Sequence, residues 1–353
     1  MKRLEKSLVH LDNLCGVSGE EELVLEGLKE ELEGFYDEFF TDPLGNGVFV
    51  QKGGADRPRI ALCAHMDEIG FMVRYIEDNG RLTIVPVGYH DNRMVVNQDL
   101  CIHTRDGMIQ GVTGCKPNHL LSPEESAKVI PMENLSVDVG TTSREETEAL
   151  GVRTGDYAHY NRQGYFLNGT KVYTGKSVDN RSGCAVLCEV FRQAKEEGID
   201  LNLYAVGTVQ EEVGIRGAGV IGHRLEPDLA IAIDVTIAGN VSGVELTEAP
   251  VELGKGAAIK YYDWDPGSAM GNNVPRKLIR ALEEVAENQG IPYQREVLMG
   301  GGTDGWTMSL SGSGVRTCVI SIPEAYMHTA VGTVHLEDME NCVQLILEYL
   351  KTL

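Results

Sequence analysis

LNLYAVGTVQEEVGIRGAG, residues 201–219, decides the fold. LNLYAVGTV is a nearly continuous apolar run of strand length, which suits a strand buried on both faces. It ends on two adjacent glutamates, Glu211 and Glu212. Like charges pressed together at the mouth of a strand repel, and a bound cation would offset that cost. The question is whether the rest of the chain supplies other ligands.

Working outward, the same design recurs. RIALCA (59–64) runs into His65-Met66-Asp67-Glu68, DLAIAI (228–233) into Asp234, and RTCVISI (316–322) leads through a short loop to His328. Helical patterns fall between these runs: residues 2–14, a helix toward Leu32 opened by a Ser18/Glu21 capping box, 182–197, 274–289 with Pro275 in its first turn, and 337–351. Alternation of this kind predicts an α/β sheet with helices on both faces. The character changes between residues 70 and 165. FMVRYIEDNGRLTIVPV (71–87) and LCIHTRDGMIQGVTG (100–114) each place two strand-like runs around Asn-Gly or Asp-Gly, the strongest short hairpin signal. One short helix is expected near 143–150. The organisation is therefore a discontinuous α/β domain, residues 1–69 plus 166–353, carrying an inserted β-rich domain, residues 70–165.

Ligands of open α/β sheets bind beyond the carboxyl ends of the strands. Four such ends deliver His65, Glu211 with Glu212, Asp234 and His328, and Asp179 in SVDNRSG (177–183) enters a helix nearby. Imidazole and carboxylate without thiolate suit zinc, cobalt or manganese. Five ligands exceed one open tetrahedral site and suit two metals sharing a carboxylate. Asp67, two residues past His65 on an extended chain, can take the second imidazole proton. One glutamate of the pair can bind metal while the other serves as a general base.

Composition narrows the function further. The 353 residues carry a net charge of −22, which argues against nucleic acid and against an anionic membrane surface. No apolar stretch approaches the ~18 residues that span a bilayer, and the N-terminus lacks a signal-peptide core, so the chain is read as cytoplasmic. The eight cysteines are scattered without a CxxC pair, which argues against a Cys-ligated zinc site. His10, His90, His103, His119, His159, His223 and His335 are read as structural or surface residues. GGGTDG (300–305) lacks the lysine and spacing of a phosphate loop. It is read as lining a substrate pocket, with Gly301, Gly302, Thr303 and Asp304 as contacts.

AHMDEIGFMV (64–73), GVTGCKP-HL (111–120), VDNRSGC (178–184), QEEVGIRGA (210–218), AIDVT (232–236), GGGTDG and IP-Y-HT (322–329) together resemble the M42 family of metallo-aminopeptidases, the deblocking, glutamyl and tetrahedral types. The resemblance runs from about residue 12 to 330. It implies a zinc-peptidase-like α/β sandwich domain with an inserted small β-barrel-like dimerisation domain, in dimers that build tetrahedral dodecamers. It implies that His65 and Asp234 bind one metal, Glu212 and His328 the second, and that Asp179 bridges. Glu211 becomes the general base and Asp67 supports the site. The implied activity is release of N-terminal residues from short peptides by metal-activated water. Two positions depart from the family: Ala325 stands where an arginine is usual, and Gly305 where an alanine is usual. The alternatives are a deacylase, dipeptidase or carboxypeptidase on the same dimetal plan, a glycosidase of glucanase type using the paired carboxylates, and a non-catalytic assembly subunit.

Overall fold

A computed structural model describes residues 2–353. Its core is a twelve-stranded sheet. At the centre, Asn202–Thr208, Arg59–His65, Leu229–Ile237 and Thr317–Ala325 lie side by side and parallel. Antiparallel strands flank them: Gly47–Gln51 and Glu38–Thr41 on one side, Gly332–His335, Val172–Gly175 and Tyr165–Phe166 on the other. Ala257–Asp265 branches from Thr317–Ala325 and pairs with Met270–Asn273 and Tyr293–Met299.

The central strands read as continuous apolar runs because both faces are covered. On Arg59–His65, Ile60, Leu62 and Ala64 join a large core with the helices Lys2–Asp12, Glu22–Leu32, Val178–Glu196, Arg276–Gln289 and Leu336–Leu350. Ala61 and Cys63 face a smaller core on the opposite side, completed by Arg216–Leu225 and by Met308 of Gly305–Ser309. The strand period of two therefore sends alternate residues into different cores. Leu62 is fully buried in the larger one. Leu62→Ala is expected to cost about 2–5 kcal/mol of stability in denaturant titration, through lost burial and the cavity left behind; a cost below ~1 kcal/mol would mean that the site collapses around the gap.

The segment after His65 enters a closed six-stranded barrel. Its order is Gly70–Ile76, Leu82–Val87, Ser136–Asp138, Gly107–Thr113, Asp99–Thr104 and Tyr157–Tyr160. Phe71, Ile84, Leu100, Ile102, Val137 and Ala158 fill its interior. Both Asn-Gly and Asp-Gly signals mark hairpins, as the sequence predicts. Gly80 sits at φ +87°, and a Cβ there would lie 2.6 Å from Thr141 Oγ1, so glycine is required twice over. The expected short helix is Arg144–Ala149, capped by Ser143, but it is not alone: Asn92–Val95 and Pro123–Ser126 are further single helical turns in this segment.

Two local expectations need correction. The second helix begins at Glu22 without a capping box: Ser18 Oγ donates instead to Asp67, and Glu21 accepts from the Gly19 and Gln210 amides. Asp234 does not end its strand, because pairing with Thr317–Ala325 continues to Ile237↔Glu324. Among the described residues no helix is long and apolar enough to cross a membrane.

Candidate metal centre

The sheet register brings the first two candidates together. Ala232 pairs with Cys63, so Asp234 and His65, each two residues further on, reach the same level of adjacent parallel strands. His65 Nε2 lies 3.6 Å from Asp234 Oδ1 and 3.1 Å from Asp179 Oδ1. Asp179 sits in the non-helical start of Val178–Glu196, where the Asp179–Asn180 bond is cis. It does not cap that helix. Its neighbours fix its position. Asn180 donates to the Ile233 carbonyl at 2.8 Å, and the fully buried Arg181 donates to the carbonyls of Met66 and Leu11 at 2.8 and 2.9 Å. Asp179 is thereby tied to the end of Arg59–His65 and to the middle of Leu229–Ile237.

The second group forms on the other side of Asp179. His328 Nε2 lies 3.4 Å from Asp179 Oδ2 and 3.5 Å from Glu212 Oε2. His328 is carried on a tight loop, with both Tyr326 and His328 in the left-handed region. One donor atom each of His65, Asp179 and Asp234 falls within 4.8 Å of the others, and the same holds for Asp179, Glu212 and His328. Asp179 belongs to both triads, with one oxygen toward each histidine.

Asp67 has a different partner set from the one expected. The His65 Nδ1 proton goes to the Asp67 backbone carbonyl at 3.1 Å, while the Asp67 carboxylate stands 3.5 Å away. That carboxylate accepts from Ser18 Oγ at 2.6 Å, from the Glu211 amide at 3.0 Å and from the Glu212 amide at 3.1 Å. Three donors outcompete one imidazole. Asp67 therefore holds the backbone of the glutamate pair, which lies in a turn beyond the end of Asn202–Thr208, after the left-handed Gln210. Outer partners of this kind typically govern affinity or rate by about 10–100-fold. Asp67→Ala is expected to lower peptide turnover by about that factor without unfolding the chain; an unchanged rate would remove Asp67 from the site.

The electrostatics are those of a cation site. Burial pushes the Glu212 carboxyl up to about 8, with Asp179 and Asp67 adding to the rise against His328 and His65. Burial also raises Glu211 well above the carboxylate range, with Asp234, Glu212 and Asp304 adding to it. Burial lowers His328, but Glu212 and Asp179 outweigh it and lift the imidazole to about 9. Asp179 is likewise raised by burial, yet the two imidazoles hold it below the usual range. Among the described residues, Glu212 Oε1 is buried without a hydrogen-bond partner. Crowded carboxylates, an orphaned oxygen and a donor set of imidazole nitrogen and carboxylate oxygen fit divalent zinc, cobalt or manganese.

Both triads and Glu211 line a cavity of about 480 Å³. Its remaining wall is mixed: Ile237, Met270, Leu298 and Met327 are apolar, while Lys260 and Asp265 are charged. Gly301 and Gly302 line it. Thr303 and Asp304 do not, because both are buried behind the wall, where Asp304 accepts from Thr208 Oγ1 at 2.5 Å. Burial pushes the Asp304 carboxyl up to about 7. The Gly305 departure has a packing reason: a Cβ there would lie 2.8 Å from Val319 Cγ2. Ala325 is buried at the strand end opposite Thr333. Ser18, read as a helix cap, supports the site through Asp67, and Asn180 and Arg181 went unassigned although both stand inside VDNRSG. Sequence reading also passed over Lys260, which reaches the cavity wall beside Glu296 at 3.2 Å.

Residues 45–345 match the family model described as M42 glutamyl aminopeptidase. The chain belongs to the M42 aminopeptidase family. It is accordingly a peptide hydrolase. The lysyl aminopeptidase of Pyrococcus furiosus is 35% identical over 342 residues, covering 95% of this chain and 94% of that protein. An aminopeptidase from the archaeon Desulfurococcus kamchatkensis superposes with a TM-score of 0.93 at 37% identity, covering 100% of this chain and 95% of that one. The TET1 peptidase of Pyrococcus horikoshii, described as assembling into a tetrahedron or a large octahedral shell, gives 0.85 at 32% identity, with 98% of each chain covered. This M42 chain thus shares its barrel and its large mixed sheet with aminopeptidases over nearly its whole length.

Proposed function

We propose that this chain releases N-terminal residues from short peptides with two divalent ions held side by side. His65, Asp179 and Asp234 would hold one ion, and Asp179, Glu212 and His328 the other. The observation that carries this reading is Asp179 itself, with Oδ1 on His65 and Oδ2 on His328. When bound, such a pair supplies Lewis-acid polarisation of a carbonyl and a water of lowered pKa. The chain supplies the rest. Glu211 stands half-buried on the cavity wall outside both triads, and in this reading it would take a proton and return it to the leaving amine. Asp67 fixes the backbone of Glu211 and Glu212. Zinc is the first candidate, with cobalt and manganese next.

Residues 70–165 are proposed as the self-association surface, giving a dimer and, through it, a tetrahedral dodecamer. Met108, Leu120 and Val129 are exposed apolar side chains of this segment that a partner copy would cover. The tetrahedral assembly of the Pyrococcus horikoshii peptidase supports the same reading. All eight cysteines are free, which suits a reducing cytoplasm.

The test is residue release from a panel of short peptides with free or acetylated N-termini, run after chelation and again with added zinc, cobalt or manganese. Metal-dependent release from free N-termini alone is expected. Cleavage confined to acetylated peptides would make the chain a deacylase, and no cleavage with any metal would favour an assembly subunit. Hydrolysis of a glucan by chelated protein would favour the glycosidase reading.

A further inference from the structure

Away from the cavity, three distant segments bring a cysteine and two histidines together. Cys15 lies in the loop between the helices Lys2–Asp12 and Glu22–Leu32. His103 and His159 stand on the barrel strands Asp99–Thr104 and Tyr157–Tyr160, which pair antiparallel with Cys101 opposite His159 and His103 opposite Tyr157. The two histidines are therefore diagonal neighbours on one face, within reach of each other and of the loop. His159 Nε2 lies 3.1 Å from Cys15 Sγ, and His159 Nδ1 lies 2.8 Å from His103 Nε2. One donor atom from each of the three falls within 4.8 Å of the others.

The loop is held on both sides of Cys15. The Leu14 carbonyl accepts from Lys176 Nζ at 2.9 Å, the Gly16 amide donates to Glu68 Oε1 at 3.0 Å, and the Gly16 carbonyl accepts from the Glu68 amide at 2.8 Å. Lys176 meets both Glu68 oxygens at 2.6 Å, so the nearest ammonium is already neutralised. His159 is buried, while Cys15 and His103 are half-exposed, which leaves the cluster open to solvent on one side. None of the three lines the cavity or belongs to the His65 and His328 triads.

We propose that Cys15, His103 and His159 form a separate site for a borderline or soft ion, zinc or copper(I), which fastens the barrel to the loop between the first two helices. One thiolate and two imidazoles are the donor set such ions take, and three protein ligands leave a fourth position for water. Binding releases the Cys15 thiol proton to solvent, and the thiolate coordinates. The scattering of the cysteines in sequence argues against a thiolate site only when the histidine partners are sought nearby. Here they stand 88 and 144 positions further on.

The thiolate separates this site from the catalytic centre, whose ligand set contains none. Whole protein is stripped with chelator, loaded with cobalt(II), and its near-ultraviolet absorption and cobalt content are measured. A thiolate-to-cobalt charge-transfer band is expected in the wild type. It should be retained in Cys115→Ser, which removes the exposed thiol, and lost in Cys15→Ser together with about one cobalt ion per chain. Should Cys15→Ser fail to fold, His103→Gln, at a half-exposed position, is expected to weaken the same band. Peptide release by the folded variants should match the wild type. A cobalt-loaded wild type with no thiolate band, or a band that survives Cys15→Ser, would show that the three residues are only a hydrogen-bonded chain.

Discussion

Glu211→Gln is expected to keep its fold and its metal ions and to lose about 10²–10⁴-fold in kcat. The amide matches the carboxylate in shape but cannot accept a proton in the transition state. Neither triad contains Glu211, so metal content should be unchanged. The backbone beneath it is set by the Glu211 amide donating to Asp67, which the substitution leaves alone. Its carboxylate accepts no hydrogen bond from the described side chains, whereas the neighbouring Glu212 meets His328. On the proposed reading, their surroundings divide the two adjacent glutamates into a base and a ligand. Metal analysis beside steady-state kinetics checks this. A variant that keeps a tenth or more of the wild-type kcat would remove Glu211 from proton transfer.

Asp179→Asn is expected to empty both metal positions together. The amide loses the charge and one of the two acceptor oxygens that face His65 and His328. Glu212 and Asp234 then remain crowded with less to hold an ion between them. Lewis-acid stabilisation amounts to several kcal/mol and each 1.36 kcal/mol is tenfold, so the loss of activity should be on the order of 10³-fold or more. His328→Ala provides the contrast, because it belongs to one triad and should cost one ion. If Asp179→Asn instead lost a single ion with the other fully retained, the two triads would be independent and the shared carboxylate would not be a bridge.

The fold was legible because its strands are buried on both faces. RIALCA and LNLYAV advertise that burial as unbroken apolar runs, and the barrel advertises its hairpins through Asn79-Gly80 and Asp106-Gly107. The candidate ligands were legible because adjacent parallel strands in register bring residues such as His65 and Asp234 to one level of the sheet. What escaped depended on three-dimensional competition. Asp67 stands two residues from His65, and spacing alone cannot reveal that Ser18 and two backbone amides claim its carboxylate. Ser18 carries the pattern of a helix cap, yet Asp67 takes its hydroxyl. Asp304 follows three glycines that suggest an open loop, but the Thr208 hydroxyl draws it beneath the cavity wall. Cys15, His103 and His159 share no sequence motif at all; the closure of the barrel against the loop after the first helix is what assembles them.

The most direct measurement of the paired centre is anomalous diffraction from crystals of the protein grown with zinc. Two peaks flanking Asp179 are expected, one among His65, Asp179 and Asp234 and the other among Asp179, Glu212 and His328. A single peak, or two that leave Asp179 uncoordinated, would contradict a centre built on a shared carboxylate.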